Sequence, residues 1–192
     1  MKASTLKEAT VTKSIFKGNL MTKRTVTLKE NTFTIEGKEM KVGRKIPECT
    51  LVNQNMEDVK LSSYSGKVML ILTVPSFDTP VCQVEGKRFN KEVGKFGESL
   101  CSLGVSMDLP FAQKRWCGAE KATNLQLLSD FRYGELGEKF GLRIKELGLL
   151  ARSVYIIDLS GTVRYEQIVQ EISNEPDYAR AIEEIEQLLC EV

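Results

Sequence analysis

Residues 68–82 read VMLILTVPSFDTPVC, and this stretch decides the fold. Its first part, Val68–Val74, is an apolar run of strand length, and a run that is apolar on both faces is typical of a sheet covered by helices on each side. The next segment, Cys82–Phe96, has helical spacing, because its apolar residues fall within about 60° of one another on a helical wheel. Those residues are Cys82, Phe89, Val93 and Phe96. The sequence therefore predicts a buried strand that leads through a short loop into an amphipathic helix.

Strand and helix patterns alternate through the rest of the chain. Thr25–Leu28 and Thr32–Glu36 flank the turn Lys29-Glu30-Asn31 and predict an N-terminal β-hairpin. The other predicted elements are strands at Leu100–Met107 and Leu125–Leu128, a short helix capped by Asp108 and ended by Gly118, a helix at Gly134–Phe140, a hairpin of Ser153–Leu159 and Thr162–Val169 around Ser160-Gly161, and a last helix opened by Pro176. This alternation predicts an α/β fold in which helices flank a mixed central sheet.

Residues 1–20 differ from the rest of the chain. They carry four lysines against one acidic residue and lack the apolar core of a secretory signal. We expect a disordered N-terminal extension, or a start codon set too early, because Met21 begins a clearly patterned segment. An organelle transit peptide is the alternative. Residues 21–192 are expected to form a single domain, since they are too few for two ordinary ones.

Composition excludes several classes of protein. The formal net charge is only +1, so the chain does not have the strongly basic character of a nucleic-acid binder. No stretch of 18 apolar residues occurs, so the sequence predicts no membrane-spanning helix. The chain has no histidine, which removes Ser–His and Cys–His nucleophilic pairs, histidine general bases and every zinc site that uses histidine. We therefore expect no metal and no cofactor, and activation of any nucleophile by something other than imidazole.

The five cysteines are the second informative count: Cys49, Cys82, Cys101, Cys117 and Cys190. An odd number leaves at least one thiol unpaired within a monomer. No CxxC occurs, so zinc ribbons and thioredoxin-type dithiol motifs are absent. Position alone favours buried core thiols at Cys49, Cys101 and Cys190 and a cytoplasmic protein, because free cysteine is often a small core residue.

Cys82 has the setting of a reactive thiol. It lies in the first turn of the predicted helix, where partial positive charge and unpaired N–H groups favour a thiolate. Thr79 can set its hydroxyl against the sulfur, and Pro75 and Pro80 rigidify the loop and shield it from water. Cys82 also shares the apolar stripe of its helix, so an inert core thiol remains an equal alternative on position alone.

Three sequence blocks resemble a known family. Pro75-x-x-x-Thr79-x-x-Cys82 matches the peroxiredoxin motif PxxxTxxC. More narrowly, VPSFDTPVC at 74–82, DLPFAQKRWCGAE at 108–120 and ARSVYIID at 151–158 resemble the thiol peroxidase family, in the right order. The similarity runs from about Met21 to the C-terminus.

The resemblance implies a thioredoxin-like fold and a role for each matching residue. Cys82 resembles the peroxidatic cysteine that becomes a sulfenic acid, and Thr79 the residue that hydrogen-bonds thiolate and peroxide. Pro75 resembles the proline that shields the pocket. Arg152 resembles the active-site arginine, whose permanent cation can hold both the thiolate and a peroxide oxygen. This agrees with the missing histidines.

Cys117, within RWCGAE, resembles the resolving cysteine, so the family implies an intramolecular Cys82–Cys117 disulfide. The two cysteines are 35 positions apart. A disulfide that closes such a loop lowers the conformational entropy of the unfolded chain, an effect of about 4 kcal/mol. Both helix ends are expected to unwind to bring the sulfurs together. The family further implies hydrogen peroxide and organic hydroperoxides as substrates, thioredoxin as the reductant and a homodimer. Phe77 and Trp116 depart from the expected aromatic residues and leave pocket shape open.

Two other functions remain to be distinguished. A thioredoxin-like oxidoreductase acting on protein disulfides would need a dithiol, which the absent CxxC disfavours. A non-enzymatic binding or redox-sensing protein on the same fold would need a degraded site, yet Pro75, Thr79, Cys82 and Arg152 are all present. The sequence does not rank hydrogen peroxide against alkyl or lipid hydroperoxides, and it does not identify the physiological reductant.

Overall fold

The structure, a computed structural model, describes residues 24–191. The expectation of a disordered extension at residues 1–20 lies outside the described residues. The division of the chain into that extension and a domain at 21–192 stays a prediction. Within residues 24–191, no helix has both the length and the apolar character that crossing a membrane requires.

Strands and helices alternate along the described chain. The strands are β1 (Thr25–Leu28), β2 (Asn31–Glu36), β3 (Thr50–Val52), β4 (Asp58–Lys60), β5 (Val68–Thr73), β6 (Leu100–Ser106), β7 (Gln126–Ser129), β8 (Arg143–Ile144), β9 (Leu149–Leu150), β10 (Ser153–Ile157) and β11 (Val163–Ile168). The α-helices are α1 (Pro80–Val93), α2 (Pro110–Glu120), α3 (Glu135–Lys139) and α4 (Tyr178–Cys190). The α/β class that the sequence predicts is confirmed.

The main sheet is mixed, with strand order β11-β10-β5-β6-β7-β3-β4. Strands β5, β6 and β7 run parallel, whereas β10 is antiparallel to β5 and β11 to β10. Because β5 and β6 are parallel neighbours, the loops that follow them leave the same edge of the sheet. Those two loops lead into α1 and α2, the helices that carry Cys82 and Cys117.

Strand β5 supplies both layers of the core, as its run of five apolar residues, Val68–Leu72, predicts. All six of its residues are buried. Val68, Leu70 and Leu72 pack on the face covered by α1 and α4, while Met69 and Ile71 pack on the opposite face. Burying one such side chain stabilises the fold by about 1.5–3 kcal/mol. The strand that leads to the Cys82 loop is therefore fixed from both sides.

A second, smaller sheet has the order β1-β2-β8-β9. The predicted β1–β2 hairpin is confirmed, but Asn31 is the first residue of β2 and not part of the turn. The turn consists of Lys29 and Glu30, both with positive φ, as the tightest hairpin turns require. Strands β8 and β9 were not predicted, because two residues each are too few to show a periodicity.

The predicted ends of α2 were wrong. Asp108 does not cap this helix, since its carboxylate instead accepts hydrogen bonds from the Ser76 hydroxyl and the Phe77 N–H, both at 2.7 Å. Nor does Gly118 end the helix, which continues to Glu120. Its C-cap is Lys121, a non-glycine residue in the left-handed region at φ +52°. The Asp108 carboxylate binds the neighbouring loop and not the helix N-terminus, and nothing in the sequence marks Lys121 as the C-cap.

Two other helix boundaries also differ from the prediction. Helix α1 begins two residues earlier, with Pro80 in its first turn, and ends at Val93, where a 3₁₀ segment Gly94–Ser99 follows. The last helix is capped by Asp177, whose side chain accepts from the Arg180 N–H at 3.0 Å. The β10–β11 hairpin is confirmed, although its loop spans residues 158–162 and is longer than the predicted two-residue turn.

Candidate active site

Cys82 is the third residue of α1 and its side chain is completely buried. The chain leaves β5, passes through residues 74–79 and enters the helix with Thr79 as its extended N-cap. Pro80 suits the first helical position because its fixed φ matches the helix and its missing N–H is not needed there. The sulfur therefore lies in the first turn, where the positive end of the helix dipole acts on it.

Arg152 is the cation at this thiol. Its Nη2 lies 3.2 Å from the Cys82 sulfur, and its side chain is only 1% exposed. Nε and Nη2 also donate to the carbonyl oxygen of Ile172, at 3.1 and 3.0 Å. Nη1 donates to the carboxylate of Glu85. The guanidinium is thus held by three partners, so the orientation of the donor toward the sulfur is fixed.

Glu85 is a member of the site that the sequence reasoning missed. It lies one helical turn after Cys82 and is completely buried. Burial raises the pKa of its carboxyl to about 7, although Arg152 pulls that pKa down. For Arg152, burial alone would lower the pKa, but Glu85 and Cys82 raise it above its usual value. The available signal was an acidic residue on the apolar stripe of a predicted helix, since a buried carboxylate requires a partner.

The loop residues predicted at the site are present beside it. Pro75 is buried at the end of β5. The hydroxyl of Thr79 donates to the carbonyl oxygen of Ser76 at 2.9 Å, so its single proton is used within the loop and not at the sulfur. The Asp108 carboxylate holds Ser76 and Phe77 in the same loop. The polypeptide around Cys82 is therefore held by polar contacts with the loop that precedes α2.

Cys117 lies in the last turn of α2 and is half-buried. Its sulfur accepts a hydrogen bond from Nε2 of Gln54 at 3.1 Å. Burial raises the pKa of the Cys117 thiol, and the Gln54 donor partly offsets that rise. Cys82 and Cys117 are both unpaired thiols in the described structure, and each has its own polar partner. Gln54 was also missed, because it is 63 positions from Cys117 in the sequence.

The segments that carry the two thiols are joined by an aromatic pair and an ion pair. The rings of Phe77 and Trp116 have centroids 5.0 Å apart. Arg115 and Asp78 form an exposed ion pair at 2.6 Å. Gly86 of α1 permits the aromatic contact, because a Cβ there would lie 2.8 Å from the indole. The two aromatic residues that depart from the family pattern thus pack against each other between α1 and α2.

The other cysteines have different settings. Burial raises the pKa of Cys49 to about 12 and that of Cys101 to about 11, which disfavours the thiolate form of both at neutral pH. Cys49 is buried as predicted, whereas Cys101 is half-buried. The prediction of a buried thiol was wrong for Cys190, which is exposed at the end of α4, where the buried face is formed by other residues. Among residues 24–191, no group of three or more Cys, Asp or Glu side chains is arranged to hold a metal ion.

The fold brings Cys82, Arg152 and Glu85 together in one buried cluster. Residues 42–166 match the AhpC/TSA family, and the chain belongs to that family. The thiol peroxidase of Listeria monocytogenes serotype 4b (strain F2365) is 47% identical over 158 residues, covering 82% of this chain and 95% of that protein. The thiol peroxidase of Bacillus subtilis (strain 168) is 44% identical over 158 residues, covering 82% and 94%.

Solved structures agree with this assignment. A peroxiredoxin-like protein from Aquifex aeolicus superposes with a TM-score of 0.81 at 42% identity, covering 86% of this chain and 97% of that one. The thiol peroxidase from Chromobacterium violaceum, at 22% identity and a TM-score of 0.75, supports the fold alone. The expected thioredoxin-like fold is confirmed. The chain is a peroxiredoxin-type, thiol-dependent peroxidase, with a hydroperoxide as oxidant and a thiol as reductant.

Proposed function

We propose that Cys82 is the peroxidatic residue and that Cys117 resolves its oxidised form in an intramolecular disulfide. The single observation that carries this proposal is the 3.2 Å contact between Nη2 of Arg152 and the sulfur of Cys82, whose side chain is completely buried in the first helical turn. A fixed cation and a helix N-terminus both favour the thiolate, which is the nucleophilic form of cysteine. Among the described residues, no arginine or lysine donates a hydrogen bond to the sulfur of Cys49, Cys101 or Cys117.

In the first step, the Cys82 thiolate attacks one oxygen of the hydroperoxide. The S–O bond forms as the O–O bond breaks, and the leaving alkoxide or hydroxide takes up a proton to become an alcohol or water. Cys82 is then a sulfenic acid. Negative charge moves from sulfur to oxygen during this step, and the Arg152 guanidinium can follow it because it presents several donors in one plane.

Pro75 and Thr79 complete the proposed catalytic set. Pro75, buried where β5 ends, shields the sulfur from bulk water. The Thr79 hydroxyl, which now donates to Ser76, needs only a rotation about χ1 to donate toward a peroxide bound at Cys82. Glu85 holds Arg152 in place from the opposite side of the guanidinium.

In the second step, the Cys117 thiolate attacks the sulfur of the Cys82 sulfenic acid. The S–S bond forms, the S–O bond breaks, and the departing hydroxide takes a proton to become water. The two sulfurs have separate polar partners in the reduced protein, so at least one must leave its partner first. The last turn of α2 is suited to this movement, because terminal helical turns open at low cost.

An external dithiol then reduces the disulfide by exchange, and we propose a thioredoxin for this role. The proposal includes a homodimer, supported by the exposed apolar side chains of Leu109 and Phe111 beside the active-site loop. It also includes a cytoplasmic location, which the odd number of cysteines favours over an oxidising compartment. Hydrogen peroxide and organic hydroperoxides are the proposed substrates.

The test is peroxide reduction followed by stopped flow with a thioredoxin system, using hydrogen peroxide, an alkyl hydroperoxide and a lipid hydroperoxide. The protein oxidised with one equivalent of peroxide is then alkylated, digested and mapped by mass spectrometry. We expect turnover with a thioredoxin and a single Cys82–Cys117 linkage within one chain. Sedimentation of the reduced protein measures the oligomeric state.

Each part of the proposal has its own contrary outcome. A Cys82 peptide linked across chains would replace the intramolecular mechanism with an intermolecular one. Turnover with small thiols but not with any thioredoxin would change the reductant while leaving both cysteine roles intact. A monomer at micromolar concentration would remove the homodimer. Free Cys82 after complete peroxide consumption would refute the whole scheme.

A further inference from the structure

Gln54 is the polar partner of the proposed resolving cysteine. It lies in the turn between β3 and β4, and its Nε2 donates to the Cys117 sulfur at 3.1 Å. We propose that Gln54 is a positioning residue that holds Cys117 on the folded helix end, and so sets both the rate of disulfide formation and the stability of the disulfide. This inference rests on the proposed function, since it requires Cys117 to be the resolving thiol.

The turn that presents Gln54 is rigid. The side-chain oxygen of Asn53 accepts from the N–H groups of Asn55 and Glu57, at 2.8 and 3.0 Å. Its amide nitrogen donates to the Glu57 carboxylate at 2.8 Å, and Met56 takes the left-handed conformation at φ +69°. The backbone on both sides of Gln54 is therefore held by hydrogen bonds within the turn, so the turn and not α2 positions its amide.

The groove around the Gln54–Cys117 contact is lined by uncharged side chains. The described turn and the end of α2 enclose a groove of about 330 Å³ whose lining, including Thr123 and Gln126, contains no charged side chain. On α2 itself, Lys114, Glu120 and Lys121 lie within about one turn of Cys117. Glu120 is paired with Lys87 at 2.9 Å. A neutral amide donor is thus the polar contact that the described structure gives this sulfur.

Two features of the same helix end act in opposite directions. Lys121 caps α2 with a positive φ, which costs a non-glycine residue about 1–2 kcal/mol and favours opening of the last turn. The Gln54 contact favours the closed turn, because it exists only while Cys117 is in place. A sulfur that has moved to bond Cys82 loses this donor, so the contact stabilises the reduced form relative to the disulfide.

The direction of each effect follows from that difference. Removing the donor makes opening easier, so the Cys82 sulfenic acid is converted to the disulfide faster. It also removes stabilisation from the reduced protein only, so the disulfide becomes harder to reduce. A neutral hydrogen bond accounts for roughly a twofold to tenfold change in either constant. For a two-electron couple that factor corresponds to about 10–30 mV toward more negative potential.

The test compares Gln54→Met, which keeps length but lacks a donor, with Gln54→Lys, which keeps an N–H donor and adds charge. Disulfide formation is timed by rapid quench and alkylation after one equivalent of peroxide, and the potential is measured by redox titration. We expect Gln54→Met to form the disulfide twofold to tenfold faster and to have the lower potential. We expect Gln54→Lys to form it no faster than the wild type and to have an equal or higher potential.

Asn55→Met is the matched control, because Asn55 is exposed in the same turn and the hydrogen bond to the Cys117 sulfur comes from Gln54. A purely structural role for the turn predicts that Gln54→Met and Gln54→Lys behave alike, and that result would overturn the proposal. So would wild-type rates and potentials in both variants. Absence of a Cys117-dependent disulfide in the wild type would instead refute the proposed function, which keeps the two failures distinguishable.

Discussion

The two thiols proposed to act in sequence have contrasting surroundings. Cys82 is completely buried and faces a guanidinium that is itself fixed by a carboxylate and a backbone carbonyl. Cys117 is half-buried at a helix end, with one neutral amide as its polar partner. Cys82 therefore lies among paired charged groups, on a backbone segment held by several contacts. Cys117 has a neutral hydrogen-bond partner and lies in a terminal helical turn, which opens at low cost.

This difference matches the different demands of the two steps. Attack on a peroxide needs a thiolate and a fixed donor for the developing oxygen charge, and both require a rigid polar setting. Resolution needs a thiol that can travel, and a permanently charged, fully buried partner would oppose that movement. The thiol that needs a rigid setting and the thiol that needs to move therefore lie on two different helices, α1 and α2, which follow neighbouring parallel strands.

The largest expected effect comes from exchanging each sulfur for oxygen. We expect Cys82→Ser to lose peroxidase turnover completely, because peroxide does not oxidise a serine hydroxyl as it oxidises a thiolate to a sulfenic acid. Cys117→Ser should still consume one equivalent of peroxide and then stop, since the sulfenic acid has no internal partner. Competition for peroxide and sulfenic acid trapping measure the two outcomes. Equal residual turnover in both variants would abolish the division of roles.

Arg152→Ala should slow oxidation of Cys82 by about 10²- to 10³-fold, the usual effect of losing one fixed donor at a developing charge. The single variant also leaves Glu85 buried without its cation, which costs about 3–5 kcal/mol. Arg152→Ala combined with Glu85→Gln removes that charge and serves as the matched control. If the double variant oxidises at the wild-type rate, the cation is not part of the chemistry.

The fold was predictable to the extent that periodicity and length carry information. Strand β5, helix α1 and both hairpins follow from apolar patterns several residues long. Strands β3, β4, β8 and β9 are only two or three residues long, and β3 and β8 also pair with strands that are distant in sequence, β7 and β2. Local pattern cannot reveal such pairings.

The site was partly predictable for a similar reason. Cys82, Thr79 and Pro75 form one short motif, and Arg152 came from the family resemblance. Glu85 and Gln54 were missed because their importance depends on what they contact, at 67 and 63 positions' separation. Asp108 was assigned to a helix cap because local chemistry permits it, whereas tertiary contacts give it to the Cys82 loop.

Glu85→Gln should alter the pH dependence of stability at the buried site. Burial raises the pKa of Glu85 from its ordinary value near 4.5 to about 7. The folded protein therefore binds this proton more tightly than the unfolded chain, and the resulting stability is present below about pH 4.5 and lost as pH rises through 7. Relative to the wild type, the variant should gain about 2–3 kcal/mol in free energy of unfolding across that window.

Urea denaturation at several values between pH 4.5 and 8 measures this difference. Glu120→Gln is the control, because it makes the same substitution at a glutamate that is not buried. The difference between wild type and Glu85→Gln should widen in favour of the variant as pH rises. A constant difference would mean that Glu85 stays ionised through the whole range, and that Arg152 outweighs burial.

The smallest expected effect concerns the Cys117 end of α2. Lys121→Gly removes the cost of about 1–2 kcal/mol for a side chain at φ +52°, and the larger entropy loss of glycine offsets about 0.5–1 kcal/mol of that gain. The closed helix end is therefore stabilised by about 0.5–1 kcal/mol. Resolution should slow by about twofold to fivefold, while oxidation of Cys82 is unchanged. The single tryptophan, Trp116, is adjacent to Cys117 and buried, so its emission should change as the disulfide forms and recover on reduction.

Stopped-flow fluorescence follows this change directly, and Lys114→Gly, within the same helix, provides a variant that should act in the opposite direction because it weakens the helix interior. If the Trp116 signal is identical in the reduced and disulfide forms, the end of α2 does not rearrange. Cys82 would then have to travel the whole distance to Cys117.

The position of Arg152 in the chain also has a consequence for the newly made protein. Its guanidinium reaches Cys82 across 70 positions, and it does so only after β10 has paired with β5. During translation, Cys82 emerges from the ribosome well before Arg152. Under the proposed function, a nascent or unfinished chain therefore lacks the cation that favours the thiolate, and that contact forms only when the central sheet is complete.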